Sequence, residues 1–264
     1  MTGEDDAYHG LAVSSWDLWR DDTAGWPDRA VFRDVIARSG TPVLDLGCAT
    51  GRLLLDYLDD GIDIDGVDAS AQMLDLVRAK ARRDGLPQPA LHRQRLEELS
   101  LPRRYATILG ASSALQLVTE PAAVQEATRR ILDHLRPKGT FAGSFAFEWR
   151  PGEPLDTGWE LLFEKRRPPD GAIVRSWTRE WREPEHQLWH VEQRFEVERD
   201  GEVVESEHHR RSPEGRWYTQ SQAVELLSST GFVDVELFHG FTPEPVHPDD
   251  RLFWFTARRP DSSR

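Results

Sequence analysis

Apolar residues recur at helical spacings over residues 7–39, with Leu11, Trp16, Trp19, Val31, Phe32 and Ile36 as markers. Pro27 suits the first turn of the second of two helices, and Gly40 ends the stretch. Beyond it, short apolar runs alternate with amphipathic ones. Thr41–Leu46, Ile62–Asp68, Ala90–Gln94, Tyr105–Ala111 and Thr140–Phe147 predict five strands. Gly51–Asp60, Ser70–Asp84 and Pro121–Leu135 predict helices between them, with Ser70 as an N-cap and Gly85 as a terminator. Arg136-Pro137-Lys138-Gly139 predicts a turn. Regular strand–helix alternation argues for a parallel sheet covered on both faces.

After Phe147 the pattern changes. Glu148–Asp170 is rich in Pro, Gly and charge and predicts an extended or partly helical connection. Ile173–Trp181, Gln187–Val197 and Val203–His209 follow as strands without intervening helices, the last two joined by an Asp200-Gly201 hairpin turn. They predict an antiparallel β insertion after strand five. Thr219 then caps a helix that stops at Gly231, and Phe232–Phe241 with Leu252–Arg258 predicts a closing antiparallel pair. The expected organisation is an N-terminal helical cap over 1–40, an α/β core over 41–148 and 216–264, and the insertion over 149–215. That insertion is expected to be a substrate lid or a dimer interface.

With 264 residues, 38% of them hydrophobic and 30% charged, the chain has material for one sizeable core. A formal charge of −13 argues against a broad electrostatic grip on nucleic acid or an anionic membrane. No apolar run has the length of a spanning helix, and Met1–Asp6 is acidic and polar, unlike a secretory leader. The one cysteine, Cys48, has no partner for an internal disulfide, so a cytoplasmic location is expected. No His, Cys, Asp and Glu spacing suggests a metal site.

The most specific segment is Val43-Leu44-Asp45-Leu46-Gly47-Cys48-Ala49-Thr50-Gly51-Arg52. A buried strand enters a turn of small residues that opens a helix, so a ligand can approach the backbone and its free N–H groups. Asp45, two residues before the first glycine, is placed to accept from an ammonium group. Positions 47, 49 and 52 are Gly, Ala and Arg, which is not the spacing of a dinucleotide fingerprint. Gly66-Val67-Asp68-Ala69-Ser70 puts Asp68 at the end of the second strand, where an acid can hold ribose hydroxyls; its other reading is a helix cap.

These segments, with Leu99-Ser100-Leu101-Pro102 before strand four and Leu135-Arg136-Pro137-Lys138-Gly139 before strand five, resemble the class I S-adenosylmethionine-dependent methyltransferases of the small-molecule type. The resemblance runs over about residues 42–147 and resumes at Gly231-Phe232. It implies a Rossmann-like fold with a mostly parallel seven-stranded sheet, and S-adenosylmethionine as cofactor. It places Asp45, Gly47, Cys48 and Gly51 at the methionine end and Asp68 on the ribose. Ala69 and Met73 would lie against the adenine, with Arg95 and Leu96 at its edge, and Ala111 at the end of strand four is also assigned to the cofactor. Three positions depart from the family pattern: Ala49 replaces the middle glycine, Arg95 stands where an acid is frequent, and Lys138 replaces a common glycine before strand five.

On the acceptor side, Ser112 and Ser113 leave strand four with Gln116 a turn later; capping of the next helix is the other reading of the serines. Glu148, Trp149 and Arg150 leave strand five. Arg175, Trp177 and Arg179 form one face of an insertion strand, suited either to an anionic or aromatic substrate or to packing. Tyr8, Trp16 and Trp19 sit in the N-terminal helices, which cover the cofactor in similar methyltransferases. His190, His208 and His209 show no partner in the sequence. The expected activity is methyl transfer to N, O or C of a small molecule in bacterial specialised metabolism. The alternative is a methyltransferase fold refitted for cyclisation or elimination, or serving as a non-catalytic partner subunit.

Overall fold

The computed structural model describes residues 8–20, 25–146, 149–168 and 170–261. Two compact units divide the chain: residues up to 24 with 149–216, and 25–148 with 217 onward. The expectations for Met1–Asp6, Phe147 and Glu148 fall outside the described residues.

In the larger unit the strands are β1 (Val43–Leu46), β2 (Ile64–Asp68), β3 (Leu91–Arg93), β4 (Tyr105–Gly110) and β5 (Leu135–Ala146). Each predicted strand is present, within a few residues of its predicted bounds. The first helices of this unit are α3 (Asp28–Ser39), α4 (Arg52–Asp59), α5 (Ala71–Arg83) and α6 (Pro121–His134). Helix α7 (Gln220–Thr230) and the pair β10 (Val233–His239) and β11 (Leu252–Arg258) close it. The sheet order is β10-β11-β5-β4-β1-β2-β3. Strands β1 to β5 pair in parallel, and β11 is antiparallel to both β5 and β10. This is the Rossmann-like, mostly parallel seven-stranded sheet that the sequence led us to expect.

Strand alternation divides the core. Leu44 and Leu46 pack on one face with Val124, Ala127 and Ile131 of α6 and Ala223, Leu226 and Leu227 of α7. Val43 points the other way, into a cluster with Phe32, Val35 and Ile36 of α3 and Leu53, Leu54 and Tyr57 of α4. Asp45 shares the parity of Val43, so the pleat aims a carboxylate at the α3–α4 face. Caps were legible: Ser70 Oγ accepts from the Met73 N–H, and Thr219 with Gln222 forms a complete capping box.

The smaller unit is an antiparallel sheet in the order β6 (Glu160–Arg166), β7 (Ile173–Glu183), β8 (Leu188–Arg199), β9 (Glu202–Arg216). Two short helices, α1 (Gly10–Ser14) and α2 (Trp16–Trp19), belong to this unit. Leu11 and Ala12 are buried with Phe163, Val174, Phe195 and Val197.

Several sequence expectations are corrected. The single connection expected over 148–170 contains β6, an edge strand whose short apolar stretch Leu161-Leu162-Phe163 lies among charged and proline-rich residues. The turn expected at 136–139 belongs to β5, where the β4 pairing shifts register between Tyr105 and Thr107. Strand β9 continues to Arg216, well past His209. The helical run expected over 7–39 is three helices, with Pro27 immediately preceding α3.

Candidate functional site

Strand β1 ends in the turn 47–51, and α4 starts directly after it. Gly47 and Gly51 have φ of 64° and 86°, and a Cβ on Gly47 would come within 3.2 Å of the Ala114 side chain. The turn therefore needs glycine both for conformation and for closeness. Ala49 adopts φ 47° with an ordinary side chain, a strained choice. Ala49→Gly should raise stability by about 0.5–1 kcal/mol, since relief of that strain outweighs the added unfolded-chain entropy. A scanning-fluorimetry melt checks it; a lower melting temperature would show that the turn is unstrained.

Asp45 is 3% exposed, and no hydrogen bond to its carboxylate comes from the described residues. Burial pushes its pKa up to about 7; Arg52 opposes the rise, while Asp68 and Asp28 add to it. Arg52 is itself engaged, donating to both oxygens of the buried Asp28 at 2.9 and 2.5 Å, with its guanidinium 4.9 Å from the Trp26 ring centre. Burial also raises the Cys48 thiol, with Asp45 and Asp68 contributing, so it is an unreactive spacer.

Asp68 ends β2 beside the turn. One carboxylate oxygen accepts from the Ala49 N–H at 2.9 Å and the other from the Ser70 N–H at 2.8 Å. Burial raises its pKa against these backbone hydrogen bonds. Asp68 thus braces the turn against the start of α5 while each oxygen retains acceptor capacity. Among the other positions assigned to the cofactor, Ala69 follows directly and Met73 is 1% exposed inside α5. Arg95 pairs with Glu97 at 2.6 Å, Leu96 opens a short 3-10 turn, and Ala111 follows the end of β4.

Ser112 and Ser113 follow with left-handed φ of 49° and 60°, and Ser144 Oγ accepts from the Ser113 N–H at 3.2 Å. Two consecutive non-glycine residues in that region, at the carboxyl edge of the sheet, store strain where ligands bind. Gln116 behaves differently from a surface contact. It is fully buried, and its amide pairs with both the C=O and the N–H of Ala146 at 2.9 and 2.6 Å, bracing the end of β5.

The remaining positions lie in the smaller unit. Tyr8 donates to Glu214 at 2.5 Å and sits edge-on to Trp16, which in turn meets Trp19. The arginines that suited either a substrate or packing have carboxylates already: Arg175 bridges Glu164 and Glu198, and Arg179 pairs with Asp156. Trp177 lies between Leu161 and Arg194 in register. The histidines that lacked partners in the sequence have them here: His190 stacks on Trp181 and meets Ser212, His209 meets Glu207, and His208 lies near Trp159.

The sequence reading missed two arrangements. One is the Arg52–Asp28 pair, separated by 24 positions. The other is a dyad at the same sheet edge. Strand β10 is antiparallel to β11, which is antiparallel to β5, so β10 ends where β1, β4 and β5 end. Its last residue, His239, holds Asp250 Oδ1 through Nδ1 at 2.7 Å, and the His247 N–H donates to Oδ2 at 2.7 Å. Although burial works against it, the His247 N–H and the His239 ring hold Asp250 below its ordinary range. The ionised Asp250 thus orients the His239 ring through Nδ1. No local signal marks this pair, because the intervening loop has no period. Among the described residues, no group of three or more His, Cys, Asp or Glu is arranged to hold a metal. No described helix is long and apolar enough to cross a membrane.

Comparison with known proteins matches residues 43–139 to the family described as a methyltransferase domain. A curated relative, the dTDP-3-amino-3,6-dideoxy-alpha-D-glucopyranose N,N-dimethyltransferase of Streptomyces fradiae, is 30% identical over 97 residues. The matched stretch spans 37% of this chain and only 36% of that relative. Among solved structures, an S-adenosylmethionine-dependent methyltransferase from Clostridium acetobutylicum aligns with TM-score 0.74 at 18% identity, covering 95% of this chain and 98% of its own. The CcbJ methyltransferase from Streptomyces caelestis gives 0.74 at 20%, covering 94% and 96%. A sugar N-methyltransferase from Streptoalloteichus gives 0.70 at 20%, covering 99% of both chains. At such identities the structural matches speak to the fold.

Proposed function

We propose that this chain, which matches the methyltransferase domain family over residues 43–139, is a class I S-adenosylmethionine-dependent methyltransferase that methylates an amine nitrogen on a nucleotide-linked amino sugar. The observation that carries the cofactor half is the buried, unpartnered Asp45 carboxylate beside the glycine turn, with Asp68 at the next strand end. The acceptor half is supported by the name of the Streptomyces fradiae relative.

The residues fit the cofactor. Asp45 answers an ammonium, the 47–51 turn admits the methionine arm against its backbone, and Asp68 accepts from ribose hydroxyls while keeping its two N–H contacts. S-adenosylmethionine, when bound, supplies a sulfonium methyl that needs no further activation. The chain's task is then to place the acceptor in line and exclude water. Ser112 and Ser113 offer hydroxyls at the edge where the acceptor lies.

An amine acceptor must also lose a proton. His239, oriented by Asp250, stands at the same edge but four strand spacings, about 19 Å, from β1 and its turn, too far to take that proton directly. His239→Gln should therefore leave kcat within about threefold of the wild-type value, with affinity for S-adenosylhomocysteine unchanged. A kcat lowered about 100-fold would place His239 in the reaction.

The test of the function is calorimetric titration with S-adenosylhomocysteine, followed by transfer of a labelled methyl group to dTDP-3-amino-3,6-dideoxy-alpha-D-glucopyranose. Micromolar binding and labelled product are expected. Binding without product shifts the acceptor class, and no binding at millimolar ligand returns the fold to the refitted alternative.

A further inference from the structure

We propose that Asp45 carries a proton in the ligand-free protein and releases it when an ammonium-bearing ligand binds, so that the site selects its ligand's amino group through a proton exchange. The inference rests on the cofactor reading above and goes beyond it in naming the charge event.

The argument starts from the groups that face Asp45. Asp45 and Asp28 are 3% and 1% exposed, and Asp68 stands at the neighbouring strand end. The cation among them is Arg52, and its guanidinium is committed to both oxygens of Asp28 in forked geometry, with the Trp26 indole near it. The other titratable neighbours, Cys48 and Tyr57, are held neutral by burial and add no charge. An ionised Asp45 would therefore set three carboxylates against one committed guanidinium in a buried site, while the Lys80 ammonium at the same turn donates to the Thr50 carbonyl. A buried charge without a partner takes a proton instead.

A ligand ammonium supplies the missing cation. With it in place, the carboxylate form of Asp45 is stabilised by a direct ion pair, and its proton passes to solvent. Nothing is oxidised and no covalent bond changes except the O–H of Asp45. Because Asp45 is pushed to about 7, ligand affinity should climb about tenfold per pH unit below neutrality and level off above it. A ligand of the same nucleoside lacking the amino group has no claim on the proton.

The experiment is titration calorimetry with S-adenosylhomocysteine in phosphate and in imidazole at about pH 6 and 7, and in EPPS and in Tris at about pH 8.5, the two buffers of each pair differing widely in ionisation enthalpy. The difference in apparent enthalpy reads the protons released. About 0.9 proton is expected at pH 6, about half at pH 7 and almost none at pH 8.5. Methylthioadenosine, which lacks the amino-acid arm, should bind with the same enthalpy in both buffers. Asp28→Asn frees Arg52 to pair with Asp45, so release at pH 6 should shrink at least threefold while S-adenosylhomocysteine still binds. Equal enthalpies for S-adenosylhomocysteine in both buffers at pH 6, or equal release by methylthioadenosine, overturns the proposal and leaves the cofactor reading standing. Absence of all binding overturns both.

Discussion

Asp45→Asn should make the ligand-free protein more stable at pH 8 and weaken its hold on the cofactor. In the folded chain burial raises Asp45 to about 7, whereas an unfolded chain leaves an aspartate near its ordinary value. The folded state thus binds this proton more tightly. Its stabilising contribution is fully present below about pH 4, falls as pH rises toward 7, and is gone above that. Asn mimics the protonated form and does not ionise. The melting temperatures of variant and parent should therefore converge near pH 4 and separate progressively up to pH 7. The gap at pH 8 is on the order of a few kcal/mol. Loss of the ion pair with an ammonium should weaken S-adenosylhomocysteine about 100-fold or more. Melts over a pH series, with one titration at pH 8, read both effects. A variant less stable than the parent at pH 8 would mean that Asp45 is ionised and well paired without ligand. Gaining stability by losing a functional charge is the ordinary trade at binding sites.

Asp68→Ala should act in the opposite sense on stability and in the same sense on binding. The carboxylate satisfies the N–H groups of Ala49 and Ser70, and its removal leaves both without that partner. A loss of about 2–4 kcal/mol is expected, at about 1–2 kcal/mol for each deprived donor. Affinity for S-adenosylhomocysteine should fall about 100-fold, the worth of two charge-assisted hydrogen bonds to a ribose diol. Denaturant unfolding and calorimetry separate the two. A destabilised variant with unchanged affinity would make Asp68 a brace for the turn and the α5 cap, with no part in ribose binding.

Much of the fold was legible in the sequence because its signals are local. The five parallel strands, the capping residues Ser70 and Thr219, and the Asp200-Gly201 hairpin were read from periodicity and turn chemistry over a few residues. Strand β6 escaped because three apolar residues among prolines and charges do not show a period, and an edge strand has one neighbour to register against. The 136–139 segment read as a turn because Pro and Gly usually end strands, while here a register shift absorbs them.

At the site, residue types were legible and their partners were not. Arg175 and Arg179 read either as a substrate face or as packing until β6 and β8 supplied Glu164 and Glu198, and the preceding segment supplied Asp156. Gln116 read as an acceptor-side contact, whereas the end of β5 occupies its amide. Local sequence by itself determined the α/β alternation, the antiparallel insertion, the glycine turn and the acid at each of two strand ends, since each depends on residues a few positions apart. Only the tertiary structure decided that Arg52 is held by Asp28, that Asp45 is left to take a proton, and that His239 meets Asp250. Those outcomes depend on burial and on through-space distances between residues far apart in the chain, which no local period encodes.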